Sequence, residues 1–219
     1  MAIAFFDLDR TLISRNSGGL WVRSEHRQGF ITTWQALRAS IWLARYRVGL
    51  ADLNDALLAA IATLEGSEEQ IIRDRTLDFY QREIRDLYRP GAQKALSFHR
   101  NNGDKLVLLS STTPYMADAV ADELGLDGVL CNRFEVSEAG LFTGKPEGPL
   151  CFGAGKLIHG QKYAEERDVD LQDCAFYTDS RTDLPMLEKV GRPVVVHPDP
   201  RLEQVARNRG WEIVAWGTP

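Results

Sequence analysis

The chain has little cysteine or histidine to work with. Cys131, Cys151 and Cys174 are odd in number and far apart, no CxxC pair occurs, and the four histidines are scattered. This argues against a disulfide framework and a Cys/His zinc site, and leaves three reduced, mostly buried thiols. Positive charge is not in excess. Lys and Arg number 26 against 31 Asp and Glu, a net charge of −5, so no general nucleic-acid or membrane footprint is expected. Long apolar runs are missing as well: none approaches the ~18 residues of a membrane span. No basic stretch leads into an apolar one near the start, and Asp7 interrupts the first apolar run. A membrane span and a secretory signal are therefore not expected, and the cytoplasm is the expected compartment. Repeats and low-complexity segments are absent. What remains is an ordinary globular composition over 219 residues, enough to bury a full core as one domain or as a domain with an insert.

The most informative stretch is AIAFFDLDRTLI, residues 2–13. Ile3, Ala4, Phe5 and Phe6 read as a buried parallel strand. It delivers Asp7 and Asp9 to its carboxyl end, where open α/β sheets bind ligands. Two carboxylates so close together beside an apolar strand are costly without a positive partner. A divalent cation fits, and oxygen-only ligands suit Mg²⁺, which commonly accompanies phosphate. Taken alone, Asp7 ending a strand and Asp9 capping a turn would need no chemistry.

Residues 20–88 carry helical periodicity. Leu20, Trp21, Phe30, Ile31, Trp34, Leu37, Ile41, Trp42 and Tyr46 recur at near-helical spacing up to Gly49. A second helix follows from Asp52 to Gly66, and a third from Ser67 to about Leu87. The Trp and Leu stripe is expected to form the core of this helical module, not a lipid surface. From Pro90 onward helices alternate with short apolar strands, and residues 133–145 read as a hairpin turning at Glu138, Ala139 and Gly140. Strand–helix alternation implies a doubly wound parallel sheet, an α/β fold. The expected organisation is a core of residues 1–16 and 89–219 with a helical insert, 17–88.

Four motifs appear in order. They are D-x-D-x-T-L at Asp7, a strand ending in Ser110-Ser111-Thr112-Thr113, GAGK ending in Lys156 at the opening of a helix, and a strand running into Asp179 with Asp183 following. Together they resemble the haloacid dehalogenase (HAD) superfamily of phosphohydrolases, closest to its phosphoserine-phosphatase-like subfamily IB. The resemblance implies a Rossmann-like core with an inserted C1-type cap. It implies Asp7 as nucleophile, Asp9 as acid/base, Ser110 and Lys156 on the transferring phosphoryl group with help from the Ser111 N–H, and Asp183 holding Lys156 and Ser110. It implies Mg²⁺ held by Asp7, Asp9 (through its backbone carbonyl) and Asp179. The pattern departs from the common family form at Thr178, where Gly is usual, at Thr182, where Asn is frequent, and at Arg10 in the variable position.

Substrate is the least legible feature. Phosphoserine phosphatases carry a Glu for the substrate ammonium where this chain has Asn16, which is the corresponding substrate-binding candidate. Residues 20–50 hold Arg23, Arg27, Arg38, Arg45 and Arg47 against Glu25 alone, a local positive excess that reads mainly as a solvated face and could attract phosphate esters. The expected reaction is hydrolysis of a small phosphorylated metabolite by a monomer or homodimer. The rival readings are a HAD phosphotransferase or phosphomutase, a non-enzymatic phospho-acceptor module, and a silent HAD scaffold. A receiver-type acceptor lacks both the long helical insert and a second Asp just past the first.

Overall fold

The computed structural model describes residues 2–47 and 53–219. The first apolar run forms β1 (Ile3–Phe6), with all four residues buried. Helices follow: α1 (Ser17–Arg27), α2 (Thr33–Arg47), α3 (Leu53–Ala62) and α4 (Glu69–Phe79), the last continued by irregular turns through Leu87. Then come α5 (Pro90–Asn101), β2 (Lys105–Leu109), α6 (Pro114–Leu124), β3 (Gly128–Leu130), β4 (Phe134–Val136), β5 (Phe142–Pro146) and α7 (Ala154–Glu165). The chain finishes with β6 (Ala175–Thr178), α8 (Leu184–Leu187), β7 (Arg192–Val196), α9 (Pro200–Arg209) and β8 (Glu212–Val214). Pro90, Pro114 and Pro200 each occupy a first helical turn, where a fixed φ and a missing N–H cost nothing.

Six strands form one parallel sheet in the order β3-β2-β1-β6-β7-β8. The order reverses between β1 and β6, which is the topological switch point of a doubly wound fold. Successive side chains of β1 enter opposite layers. Ala4 and Phe6 pack with Leu106, Leu108, Tyr177 and Val196 on one side. Ile3 and Phe5 pack with Val107, Leu109, Phe176 and Val195 on the other. The α/β reading of the sequence is therefore correct, and the continuous apolar runs reflect burial of both sheet faces.

The antiparallel β4–β5 hairpin leaves this sheet and reaches the helices inserted between β1 and β2. Phe142, Ile72 and Tyr115 make a small separate core there, with Leu64, Phe134 and Val136 against it. A single bridge pairs Glu68 with Leu141.

Two expectations for residues 20–50 need correction. The helical run is not continuous. It breaks after Arg27, where Gly29 takes φ +78°, a left-handed conformation that ends helices readily. Nor is the aromatic and aliphatic stripe uniformly core. Leu20 and Trp21 do pack against the main cluster, but Phe30, Trp34, Leu37 and Ile41 are exposed, Trp34 to 71%. α2 leans chiefly on α1 and half-buries its Ala36 and Ala39 side, which turns Trp34, Leu37 and Ile41 outward. The expected boundaries at Gly49 and Asp52, and the side chains of Arg45, Tyr46 and Arg47, lie outside the described residues.

Phe6 stacks on Tyr177 at 4.7 Å between ring centroids and is fully buried directly before Asp7. Phe6→Ala should destabilise the fold by ~3–5 kcal/mol in equilibrium urea unfolding. A loss below ~1 kcal/mol would mean that this layer collapses around the cavity.

Candidate active site

Asp7 follows β1 directly, and its N–H donates to the Tyr177 carbonyl at 2.9 Å, so the sheet itself fixes the residue. A wide helical turn, Leu8–Leu12, comes next. Within it Arg10 is left-handed, at φ 57° and ψ 0°. This is uncommon for a residue bearing a Cβ and costs on the order of 1 kcal/mol. The turn brings Asp9 back to the same sheet end.

Lys156 is the cation of the site. Its ammonium donates to Asp7 Oδ1 at 2.7 Å and to Asp183 Oδ2 at 2.8 Å. Lys156, Asp7 and Asp183 are only 3%, 6% and 1% exposed. Local backbone explains how a Lys comes to be buried here. Gly153 precedes α7 at φ +53°, and a Cβ on Gly155 would lie 1.8 Å from the Leu150 carbonyl. Neither position tolerates a side chain, and the tight approach turns the first residues of α7 inward. Burial works against the ammonium, but Asp183 and Asp7 outweigh it and hold Lys156 above the ordinary lysine range. Asp7 shares that single cation with Asp183. Burial raises its carboxyl to about 7, against the pull of Lys156 and with a further push from Asp183.

Asp183 Oδ2 also accepts from the Thr178 hydroxyl at 2.6 Å, while its Oδ1 is buried without a partner. The partners of Asp183 are thus Lys156 and Thr178, not Lys156 and Ser110. Thr178 ends β6 two strand positions from Phe176 and points at the acid, whereas Ser110 ends β2 on the far side of β1. Thr178 stands where Gly is common in the family, and its hydroxyl supplies a hydrogen bond that Gly cannot.

Asp9 is held separately. Its Oδ1 accepts from the Ser17 N–H at 2.8 Å and its Oδ2 from the Asn16 amide at 2.9 Å. Asn16 Oδ1 in turn accepts from the Gly19 N–H, capping α1. Asp9 therefore sits at the positive end of α1. Burial raises its carboxyl above the usual carboxylate range, and the Ser17 N–H limits the rise. The side-chain amide of Asn16, marked from the sequence as a substrate contact, is engaged at both ends within the protein.

Asp179 follows β6 directly. Burial and the Asp7 charge lift it well above the ordinary range, and Arg10 opposes them. No hydrogen-bond donor among the described residues reaches its carboxylate. Asp7, which is buried, and Asp179, which is half-buried, are thus oxygen donors that repel one another, the electrostatic setting a hard divalent cation relieves. The described residues contain no group of three Asp, Glu, His or Cys side chains arranged to hold a metal. The carboxylate of Asp9, already bonded twice, stands apart from such a set.

Ser110 is buried at the end of β2, its N–H donating to Leu130. Ser111 is half-exposed beside it. Asn132, not singled out from the sequence, braces this loop. Its amide donates to the Ser111 carbonyl at 2.6 Å, and its Oδ1 accepts from the Cys151 N–H at 2.8 Å. It thereby links the Ser110 loop to the segment that leads into Lys156. All three cysteines are buried free thiols; burial raises Cys131 to about 12 and Cys174 to about 11.

Comparison with known proteins places this geometry. The family model described as haloacid dehalogenase-like hydrolase matches residues 4–188. The chain is 32% identical over 216 residues to the phosphoserine phosphatase SerB1 of Mycobacterium tuberculosis, a match covering 97% of this chain and 70% of that protein. It is 27% identical over 216 residues to the histidinol-phosphatase of Neisseria meningitidis serogroup C, covering 97% of each. Among solved structures, a protein of unknown function from Bordetella pertussis superposes with a TM-score of 0.87 at 27% identity, covering 97% of both chains.

Removing the ammonium leaves two buried acids uncompensated. Lys156→Met should cost ~3–5 kcal/mol at pH 8. Asp7 in the folded state holds a proton up to about 7, against 3.8 for the ordinary carboxyl, and loses a counter-charge in the variant. Between those limits the folded state binds more protons than the unfolded state, so stability falls as pH rises. The penalty of Lys156→Met should therefore shrink between pH 8 and pH 5. Urea unfolding at both pH values measures it, and a penalty independent of pH would contradict the assignment.

Proposed function

Because the chain belongs to the haloacid dehalogenase-like hydrolases, we propose that it is a Mg²⁺-dependent phosphatase acting on a small phosphomonoester through an aspartyl-phosphate on Asp7. The observation that carries this reading is the pair of separately held acids at one strand end. Asp7 is bonded to Lys156, and Asp9 is bonded to the first turn of α1.

Asp7, Asp179 and the main-chain carbonyl of Asp9 would hold the Mg²⁺, which when bound supplies the positive charge that lets a carboxylate approach a phosphate. Lys156 opposes protonation of Asp7 and aims its Oδ1 through their hydrogen bond. An oxygen of Asp7 attacks phosphorus, and the bond from phosphorus to the ester oxygen breaks. Asp9, which burial biases toward its protonated form, gives its proton to the departing alkoxide. As a carboxylate it then takes a proton from water, whose oxygen attacks the phosphorus of the intermediate. Inorganic phosphate leaves and Asp7 is restored. Ser110, the Ser111 N–H and Lys156 are assigned to the phosphoryl oxygens. Asp183 orients Lys156.

Residues 17–88 act in this reading as a cap over a core of 1–16 and 89–219. Asp9 is bonded to Asn16 and Ser17 at the root of the insert, so a movement of α1 changes the surroundings of the acid directly. The relatives named above are a phosphoserine phosphatase and a histidinol-phosphatase, and both names denote small phosphorylated amino compounds. Asn16 offers no carboxylate for a substrate ammonium, which disfavours phosphoserine itself.

Two measurements test the proposal. With p-nitrophenyl phosphate, Asp9→Asn should still release a burst of p-nitrophenolate, since this leaving group needs little protonation, and then turn over ~10²–10⁴-fold more slowly than the unaltered chain. An equal slowing of burst and turnover would remove Asp9 from the second step. Asp179→Asn should weaken Mg²⁺ binding in titration calorimetry without changing the unfolding midpoint of the metal-free protein by more than a few degrees. Unchanged affinity would place the cation elsewhere.

A further inference from the structure

Among the described residues, three that are not glycine adopt a left-handed backbone: Arg10 at φ 57°, Asp168 at φ 54° and His197 at φ 45°. Two of these, Arg10 and His197, are gathered by one buried side chain and the segment it grips. Arg89 is 5% exposed and ends the inserted helices just before α5. Its Nε donates to the carbonyl of Arg10 at 3.2 Å. Its Nη1 donates to the carbonyl of Gly217, near the end of the chain. Its own N–H donates to the Leu12 carbonyl at 2.9 Å. Among the described residues no carboxylate forms an ion pair with it; the acid whose charge reaches it is Asp179. A buried guanidinium that spends its donors on two carbonyls from opposite ends of the chain has a task other than pairing charge.

The segment it holds is itself fastened. The Trp216 N–H donates to His197 Nε2 at 2.8 Å, and the Trp216 carbonyl accepts from the Gly91 N–H at 2.9 Å. The Trp216 ring lies 5.4 Å from that of Tyr177, the residue whose carbonyl receives the Asp7 N–H. On the other side, the Arg10 N–H donates to the Arg15 carbonyl at 3.1 Å. The peptide groups flanking Arg10 are therefore clamped before and after, and this is the residue between Asp9 and Thr11 whose conformation a side chain opposes.

We propose that Arg89 is a positioning residue that holds the turn carrying Asp9, Leu8–Leu12, in the form in which Arg10 is left-handed, with residues Trp216 and Gly217 as its anchor. The turn sets where Asp9 lies relative to Asp7, and a displacement of about 1 Å between reacting groups costs ~10²-fold in rate. The inference rests on the roles proposed above for Asp7 and Asp9. It predicts a specific coupling. Asn accepts the left-handed region far more readily than Arg, so a turn carrying Asn at position 10 has less need of the clamp.

The test is a double-mutant cycle of Arg89→Met and Arg10→Asn on the full chain, read by p-nitrophenyl phosphate hydrolysis. Arg89→Met alone should lower kcat ~10²-fold with KM changed less than about threefold, and Arg89→Lys, which keeps one donor, should recover part of the loss. In the Arg10→Asn background the loss on Arg89→Met should be at least about tenfold smaller. A smaller difference between the two backgrounds overturns the proposal, because a residue that only packs would cost the same in both. Amide hydrogen exchange over residues 8–13 gives a second readout that needs no turnover. Exchange there should rise in Arg89→Met and rise less in the double variant; equal rises overturn it. If the unaltered chain hydrolyses no phosphoester, the proposed function fails while the exchange arm still decides the role of Arg89.

Discussion

A single ammonium group organises this site. Lys156 reaches from the first turn of α7 to Asp7 and Asp183, and without it two buried carboxylates would face each other in a medium that stabilises neither. Most of the local structure serves that meeting. The parallel sheet reverses its order beside β1 and so opens a crevice where Asp7 and Asp179 come to adjacent strand ends. Gly153 and Gly155 let the chain enter α7 at an angle that no side chain would allow. Thr178 takes up the remaining valence of Asp183 Oδ2. What Lys156 does not neutralise is left on Asp7 and Asp179, and that residual charge is the physical ground for expecting a cation there.

The second acid depends on a different device. Asp9 has no lysine; it is bonded to Ser17 and Asn16 at the start of α1. One strand end thus presents two carboxyls in two environments, one beside a fixed ammonium and one at a helix terminus. Separation of this kind lets one carboxyl attack while its neighbour carries a proton. The acid tied to α1 is also the one nearest the insert in sequence, so under the proposed function a movement of the insert would be felt first at this acid.

Much of this was legible in the sequence because it rests on short-range patterns. Buried strands are continuous apolar runs, and Asp7, Ser110 and Asp179 end such runs. Lys156 stands out in the sequence through GAGK at the opening of a helix and its place 23 residues before Asp179. Interactions between distant parts of the chain were not legible. Nothing local in RPGA marks Arg89 as a ligand of carbonyls at Arg10 and Gly217, and nothing in LCNRF marks Asn132 as a brace between two site loops. The position of Asn16 suggests a substrate contact, but its local geometry makes it a helix cap. The exposed face of α2 misled for a related reason: helical spacing of Trp34, Leu37 and Ile41 says that they share a side, and only the packing of α1 against the opposite side tells which way that side points.

The central claim is that Asp7, and no other acid of the cluster, becomes covalently phosphorylated. The most direct measurement is to quench the working enzyme in acid, reduce with borohydride, and sequence the peptides by mass spectrometry. An acyl phosphate on aspartate is reduced to homoserine. The account predicts homoserine at position 7 alone, dependent on the phosphoester and on Mg²⁺. Homoserine at Asp9, Asp179 or Asp183, or a phosphate retained on Ser110, would contradict it.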